Sequence, residues 1–156
     1  MEQSVRRAIK ADCVELSYAF SYYIDHGKYA ELSRLFAEEG VFIRLGVRLE
    51  GRAQILAAMQ RRPADQLTRH VTSNHHFTHV SQDVCKAVWY HATYYEFTDR
   101  RPPLAYDPHR VMLLDLYDTY TNTSEGWRIL ERDSRIVMVP DDLRPRLPAQ
   151  GLLPHD

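Results

Sequence analysis

From Leu67 onward the apolar residues of this chain stop recurring every third or fourth position and begin to alternate, and β-branched and aromatic residues take over. A period of 3.6 belongs to a helix with one buried face, and a period of 2 to a strand with one buried face. The change divides the sequence into a helical N-terminal part and four long strands, read over 67–80, 84–98, 109–122 and 126–139. The turns between them are Ser81-Gln82-Asp83, a proline-rich loop from Arg101 to Pro108, and Thr123-Ser124-Glu125-Gly126. Such short or hairpin-like links join antiparallel neighbours.

Ahead of the strands, Val5, Ile9, Cys13, Leu16, Phe20 and Tyr23 form one apolar stripe, which predicts a helix over 4–26 with Ser4 as its cap and Gly27 as its stop. A second stripe of Val14, Tyr18, Tyr22 and Asp25 lies on the opposite face, so this helix is expected to pack on both sides. A short helix over 28–37, a hairpin turning at Gly46, and a third helix over 52–61 ended by Pro63 complete the N-terminal part. Helices segregated ahead of a strongly bent sheet predict an α+β fold with the helices in the sheet's concavity. The domain is read over 1–139. The tail 140–156, with Pro140, Pro145, Pro148 and Pro154, is expected to be extended or poorly ordered unless a partner holds it.

A chain of 156 residues has the size of one domain and can form a core without disulfide or metal staples. Twenty Lys and Arg stand against 21 Asp and Glu, so no basic excess points to nucleic acid. No apolar run has the roughly 20 residues of a membrane span. The N-terminus lacks the apolar core of a signal peptide, which leaves a cytoplasmic address as the expectation. Cys13 and Cys85 have no paired spacing and read as small buried residues. Eight His and ten Tyr suggest a polar, aromatic interior.

Asp25 falls in the last turn of the first helix, where the macrodipole disfavours a carboxylate. Lys28 or solvent could offset this, and so could a role in a pocket beside Tyr18 and Tyr22. On the strand from Leu67, His70, Thr72, Asn74 and His76 alternate onto one face, either solvated or lining a polar cavity. His75, His76 and His79 do not share one face and match no zinc spacing, so no metal site is read there. No phosphate-binding glycine loop and no nucleophile elbow occurs. Tyr117-Asp118-Thr119-Tyr120 reads as a solvated strand face with a cross-strand ion pair, Trp127 as core, and Arg132 and Arg135 as surface arginines that could also reach an anionic substrate group.

The element order carries three strings. They are Tyr22-Tyr23-Ile24-Asp25-His26-Gly27-Lys28-Tyr29 with Leu35-Phe36-Ala37-Glu38-Glu39-Gly40-Val41-Phe42, then Gly51-Arg52-Ala53-Gln54-Ile55 with Thr68-Arg69-His70-Val71-Thr72-Ser73-Asn74, and last Tyr117-Asp118-Thr119-Tyr120 with Gly126-Trp127-Arg128-Ile129. In their order and spacing over about residues 5–139 they resemble the SnoaL-like branch of the nuclear transport factor 2-like superfamily. The resemblance implies a cone-shaped α+β barrel with a deep pocket. Scytalone dehydratase, hexachlorocyclohexane dehydrochlorinase and a bile-acid dehydratase of this superfamily use an Asp–His pair, and Asp25 and His70 stand at those positions here. Ile24 precedes Asp25 where scytalone dehydratase has Tyr. The resemblance thus implies a cofactor-free lyase or isomerase acting on a small hydrophobic cyclic compound. Asp25 and His70 would be catalytic, and Tyr18, Tyr22, Tyr23, Asn74 and Tyr117 would line the substrate site. It also implies a homodimer or larger assembly through the convex sheet face, with Trp89, His91 or Tyr94 buried between chains. Arg69-His70-x-x-Ser73-Asn74 is similar as well to the β subunit of aromatic-ring-hydroxylating dioxygenases, which implies a non-catalytic alternative, structural or ligand-binding.

Overall fold

A computed structural model describes residues 1–152. Three helices, α1 (Gln3–Asp25), α2 (Tyr29–Arg34) and α3 (Gly51–Gln60), pack against a sheet of six strands. The strands are β1 (Phe36–Arg44), β2 (Val47–Glu50), β3 (Gln66–Val80), β4 (Val84–Phe97), β5 (Val111–Thr123) and β6 (Gly126–Met138), in the order β2-β1-β6-β5-β4-β3. Every neighbouring pair is antiparallel except β1 and β6, which run parallel. That pair lies at the two ends of the chain, so the long crossover a parallel pair needs is the rest of the domain.

α1 starts one residue earlier than the pattern predicts. Its N-cap is Glu2, without a side-chain bond, and Ser4 lies inside the helix. Its end is set by Gly27 at φ 67, with the Lys28 N–H donating to the Tyr23 carbonyl, a closure that a residue with a Cβ forms poorly. The first stripe is the buried one: its Ile9, Cys13 and Phe20 are buried, and so is the neighbouring Ile24. They meet Phe36, Phe42 and Ile129 of the sheet in one core cluster, while Trp89, Leu114, Leu116 and Leu143 belong to a second. The second stripe stays outside, since Tyr18 and Tyr22 are 50% and 51% exposed.

The short second helix ends at Arg34, and Phe36 and Ala37 extend in β1 instead. Gly40 sits where β1 slips in register against β6, between Phe36 and Val41. A Cβ there would lie 2.9 Å from the carbonyl oxygens of Ala37 and Ile129, both backbone atoms that cannot swing aside. Gly40→Ala should therefore cost about 1–3 kcal/mol, read as a lower urea midpoint at unchanged slope. An unchanged midpoint would show that the bulge is slack.

The tail differs from its expectation. Residues 140–152 form turns and two 3-10 segments, Arg144–Arg146 and Ala149–Leu152. Leu143 is buried in the second cluster, and Gly151 lies so close to Leu45 that a Cβ would come within 2.7 Å of its carbonyl oxygen. Apolar burial on this chain's own sheet holds the tail, with no partner required. Pro154 lies outside the described residues.

Candidate active site

Asp25 and His70 meet across the gap between the end of α1 and the start of β3. The Schellman closure at Gly27 stops the helix where Asp25 can turn toward the sheet. From Gln66 to Thr72 strand alternation puts Thr68, His70 and Thr72 inward. His70 Nδ1 lies 2.5 Å from Asp25 Oδ1. The His70 backbone N–H donates to Asp25 Oδ2 at 2.8 Å, and the Thr68 hydroxyl donates to Oδ1 at 2.8 Å. The side chains of His70 and Asp25 are 8% and 5% exposed. Burial alone would push the Asp25 carboxyl up, but the bonds from His70 and Thr68 and the attraction of the imidazole hold it below its ordinary value. Burial lowers the His70 pKa and outweighs the raising effect of Asp25, with Arg62 and Arg44 adding to the depression. At neutral pH the pair is therefore a carboxylate and a neutral imidazole. The carboxylate accepts the Nδ1 proton, and Nε2 is left with its lone pair.

His70 lines an inner cavity of about 90 Å³, with Asp25 behind it. Phe20, Ile24, Phe42, Leu114 and Leu116 make it apolar, and Arg44, Arg62, His91 and Tyr95 are its other ionisable members. His91 is buried with its Nε2 unpartnered, and its ring centre is 4.7 Å from that of His70. Burial, with the neighbouring charges of His70 and Arg132, pushes the His91 pKa well down, so this ring is neutral too. Behind it Trp89 stacks at 5.2 Å and donates its Nε1–H to Asp118.

Several residues expected at the substrate site lie elsewhere. Tyr18 packs its ring edge-on to His75, and Tyr22 stacks on His26, both on the outer face of α1. Tyr23 packs at the margin of the first core cluster, and Tyr117 is exposed on the convex face under Arg135. The tyrosine that does line the cavity is Tyr95, whose hydroxyl donates to Asp142. Asn74 is exposed as well. It occupies a bulge at φ 54, where the β3–β4 pairing slips between Ser73 and His76. The extra residue reverses the alternation, so His75 turns inward against Trp89 while His76 and His79 face out. Asn tolerates the left-handed conformation and Ala does not. Asn74→Ala should thus lower stability by about 1 kcal/mol in a urea melt and leave turnover unchanged; a fall in turnover would return Asn74 to the site.

The cavity residues that sequence reasoning missed are Arg44, Arg62 and His91. Arg44 shares strand parity with buried Phe42, and His91 with Trp89 and Tyr95, so alternation could have found both. The same parity takes Trp89 and His91 out of the expected interface, because both are buried within the single chain, while Tyr94 points the other way and is exposed. Asp118 does make a cross-strand ion pair, but its partner is Arg132, expected at the surface, and both side chains are fully buried rather than solvated. Among the described residues no three His, Cys, Asp or Glu side chains gather as metal ligands, and no helix is long and apolar enough to cross a membrane.

The profile of the SnoaL-like domain family matches residues 6–133. No curated protein matches the chain in sequence. Among solved structures, hexachlorocyclohexane dehydrochlorinase type 2 is similar with a TM-score of 0.72 and 12% identity, over 88% of this chain and 90% of that one. A scytalone dehydratase-like protein from Novosphingobium aromaticivorans gives 0.70 and 19%, over 89% and 91%. ActVI-ORFA from Streptomyces coelicolor gives 0.65 and 18%, over 83% and 98%. At such identities the likeness is one of fold.

Proposed function

The chain belongs to the SnoaL-like domain family, and from that premise we propose that it is a cofactor-free lyase or isomerase of a hydrophobic cyclic compound, with His70 as general base. The observation that carries this reading is the buried Asp25–His70 hydrogen bond opening on an apolar cavity. His70 Nε2 takes a proton from a carbon made acidic by a neighbouring carbonyl or leaving group. In a lyase the C–H electron pair forms a new C=C bond as the adjacent leaving group departs with its own pair. In an isomerase the proton returns from His70 to a different carbon. Asp25 keeps the imidazole in the Nδ1–H tautomer and stabilises the imidazolium while it carries the proton. Since none of the tyrosines of α1 lines the cavity, the group that meets developing negative charge comes from its walls, and His91 stands beside the base.

A screen of cyclic hydroxy-ketones and polycyclic aromatics against the wild type and His70→Ala tests this. Conversion by the wild type that disappears in the variant is the expected result. Compounds that bind but are never converted would favour a ligand-binding or subunit role instead.

The convex face exposes Val71, Tyr90, Tyr94 and Tyr117, an apolar and aromatic surface on the side away from the helices. We propose that it joins two copies of this chain. Sedimentation at micromolar concentration should give a dimer that Tyr90→Glu dissociates. A wild-type monomer would count against it.

A further inference from the structure

A second chamber of about 370 Å³ adjoins the inner cavity, and Arg44, Arg62, Gln66, Leu143 and Leu147 line both. Arg61 and Arg146 stand exposed on its walls, with the Arg146 guanidinium 4.2 Å over the Phe97 ring. No Asp or Glu lines either chamber. Among the described residues no carboxylate lies within ion-pair distance of any of the four, whereas the buried Arg132 and the half-buried Arg110 both have one. Arg62 has a neutral partner, the Thr68 hydroxyl at 3.1 Å. That hydroxyl donates onward to Asp25, whose oxygens are already taken by Thr68 and His70.

Arg44 and Arg62 are half-buried. Burial lowers the pKa of both, and the charge of Arg62 lowers that of Arg44 further. Guanidinium remains protonated in proteins. Two like charges thus face a largely apolar cavity with no carboxylate in contact with either; the Asp25 charge reaches Arg62 only through Thr68, and a bound anion would offset the remaining cost. The fork of an arginine matches the oxygens of a carboxylate or phosphate group. Size points the same way. The inner cavity is smaller than the roughly 150 Å³ that takes one benzene, so a ring enters it by its reacting edge and the rest of the molecule lies among the arginines.

We propose that the substrate is an organic oxyanion whose carboxylate or phosphate group is held by Arg44 and Arg62 while its ring reaches inward to His70. The position of the reacting carbon rests on the reading of His70 as base; the anion site does not.

Titration calorimetry with 2-naphthoate, 2-naphthyl phosphate and the neutral 2-naphthamide tests the site without turnover. On the wild type at least one oxyanion should bind about 10–100-fold more tightly than the amide, as charge-assisted hydrogen bonds do, and the tighter of the two identifies the group. Arg44→Gln and Arg62→Gln should each remove much of that preference and leave amide binding unchanged. Should either fail to fold, Arg44→Lys or Arg62→Lys replaces it and should show a smaller loss, because the charge remains without the fork. Equal binding of all three ligands, or folded variants that keep the full preference, would overturn the proposal. His70→Asn should keep the preference. An oxyanion preference with no conversion of any compound would sink the catalytic reading alone, and conversion of neutral compounds without a preference would sink the oxyanion site alone.

Discussion

Replacing His70 with Asn should cut turnover by about 10²–10⁴-fold, the usual worth of a positioned general base, with little change in the fold. Asp25→Asn should cost at least about 10²-fold by a different route. In the wild type the carboxylate accepts from His70 Nδ1, the His70 backbone N–H and Thr68. An amide has only one acceptor oxygen, so its NH₂ must face one of these groups. If it donates to Nδ1, the ring proton moves to Nε2 and the base is lost while both rings stay in place. Nitrogen NMR separates this from unfolding. His70 Nε2 should be unprotonated in the wild type and protonated in Asp25→Asn. A variant with the wild-type tautomer and full activity would remove Asp25 from the mechanism.

The same pair sets the pH response. The His70 pKa lies below its ordinary 6.5, so the base form predominates at neutral pH. Activity should change little from about pH 8 to 7 and fall as the pH drops below 6.5 through the lower, folded value. Stability has the same sign. Below 6.5 the unfolded chain binds a proton at this site that the folded chain refuses, so stability declines as pH falls from 6.5 toward the folded value. Asp25 adds a further loss below 3.8, because its folded pKa is lowered as well. A pH profile with its midpoint above 6.5 would show instead that Asp25 outweighs burial at His70.

The largest loss of stability should come from Asp118→Ala, about 3–5 kcal/mol. Arg132 meets Asp118 through two bonds of 2.8 and 2.7 Å, and both side chains are fully buried. The Trp89 ring N–H and the Tyr120 hydroxyl also donate to Oδ2, at 2.7 and 2.5 Å. The guanidinium lies 4.4 Å over Phe20 and 4.9 Å over Trp89. Loss of the carboxylate strands a buried cation and frees Trp89, which backs His91 and through it His70. For a domain this long the melting temperature should fall by about 6–20 °C. The pair Asp118→Leu with Arg132→Met should recover most of the loss, since two apolar residues of similar volume leave nothing buried and unpaired. A drop of less than about 1 kcal/mol in Asp118→Ala would mean that water reaches the arginine.

The strands from Gln66 to Met138 were legible within a residue or two, and so were α1 and α3, because periodicity and stop residues such as Gly27 act within a few positions of themselves. Asp25 and His70 were legible as a pair from the resemblance, and the alternation that points His70 inward runs unbroken from Gln66 to Ser73. One residue later it fails. The bulge at Asn74 comes from a slip in the pairing of β3 with β4, which the local pattern of β3 does not encode. Tyr18 and Tyr22 misled for a related reason, since two apolar stripes on a helix say that either could be buried, and the sheet covers the one that holds Phe20.

Sequence by itself determined the helices, the strands and the helical end that carries Asp25, since these follow from backbone geometry and the spacing of apolar side chains. Only the tertiary structure decided what shares a cavity with His70. Arg44 comes from the first hairpin, Arg62 from the turn after α3, His91 from β4, and Leu143 from a tail that folds back over the sheet. Sheet curvature and burial bring these distant segments together, and neither is written in the period of any one of them.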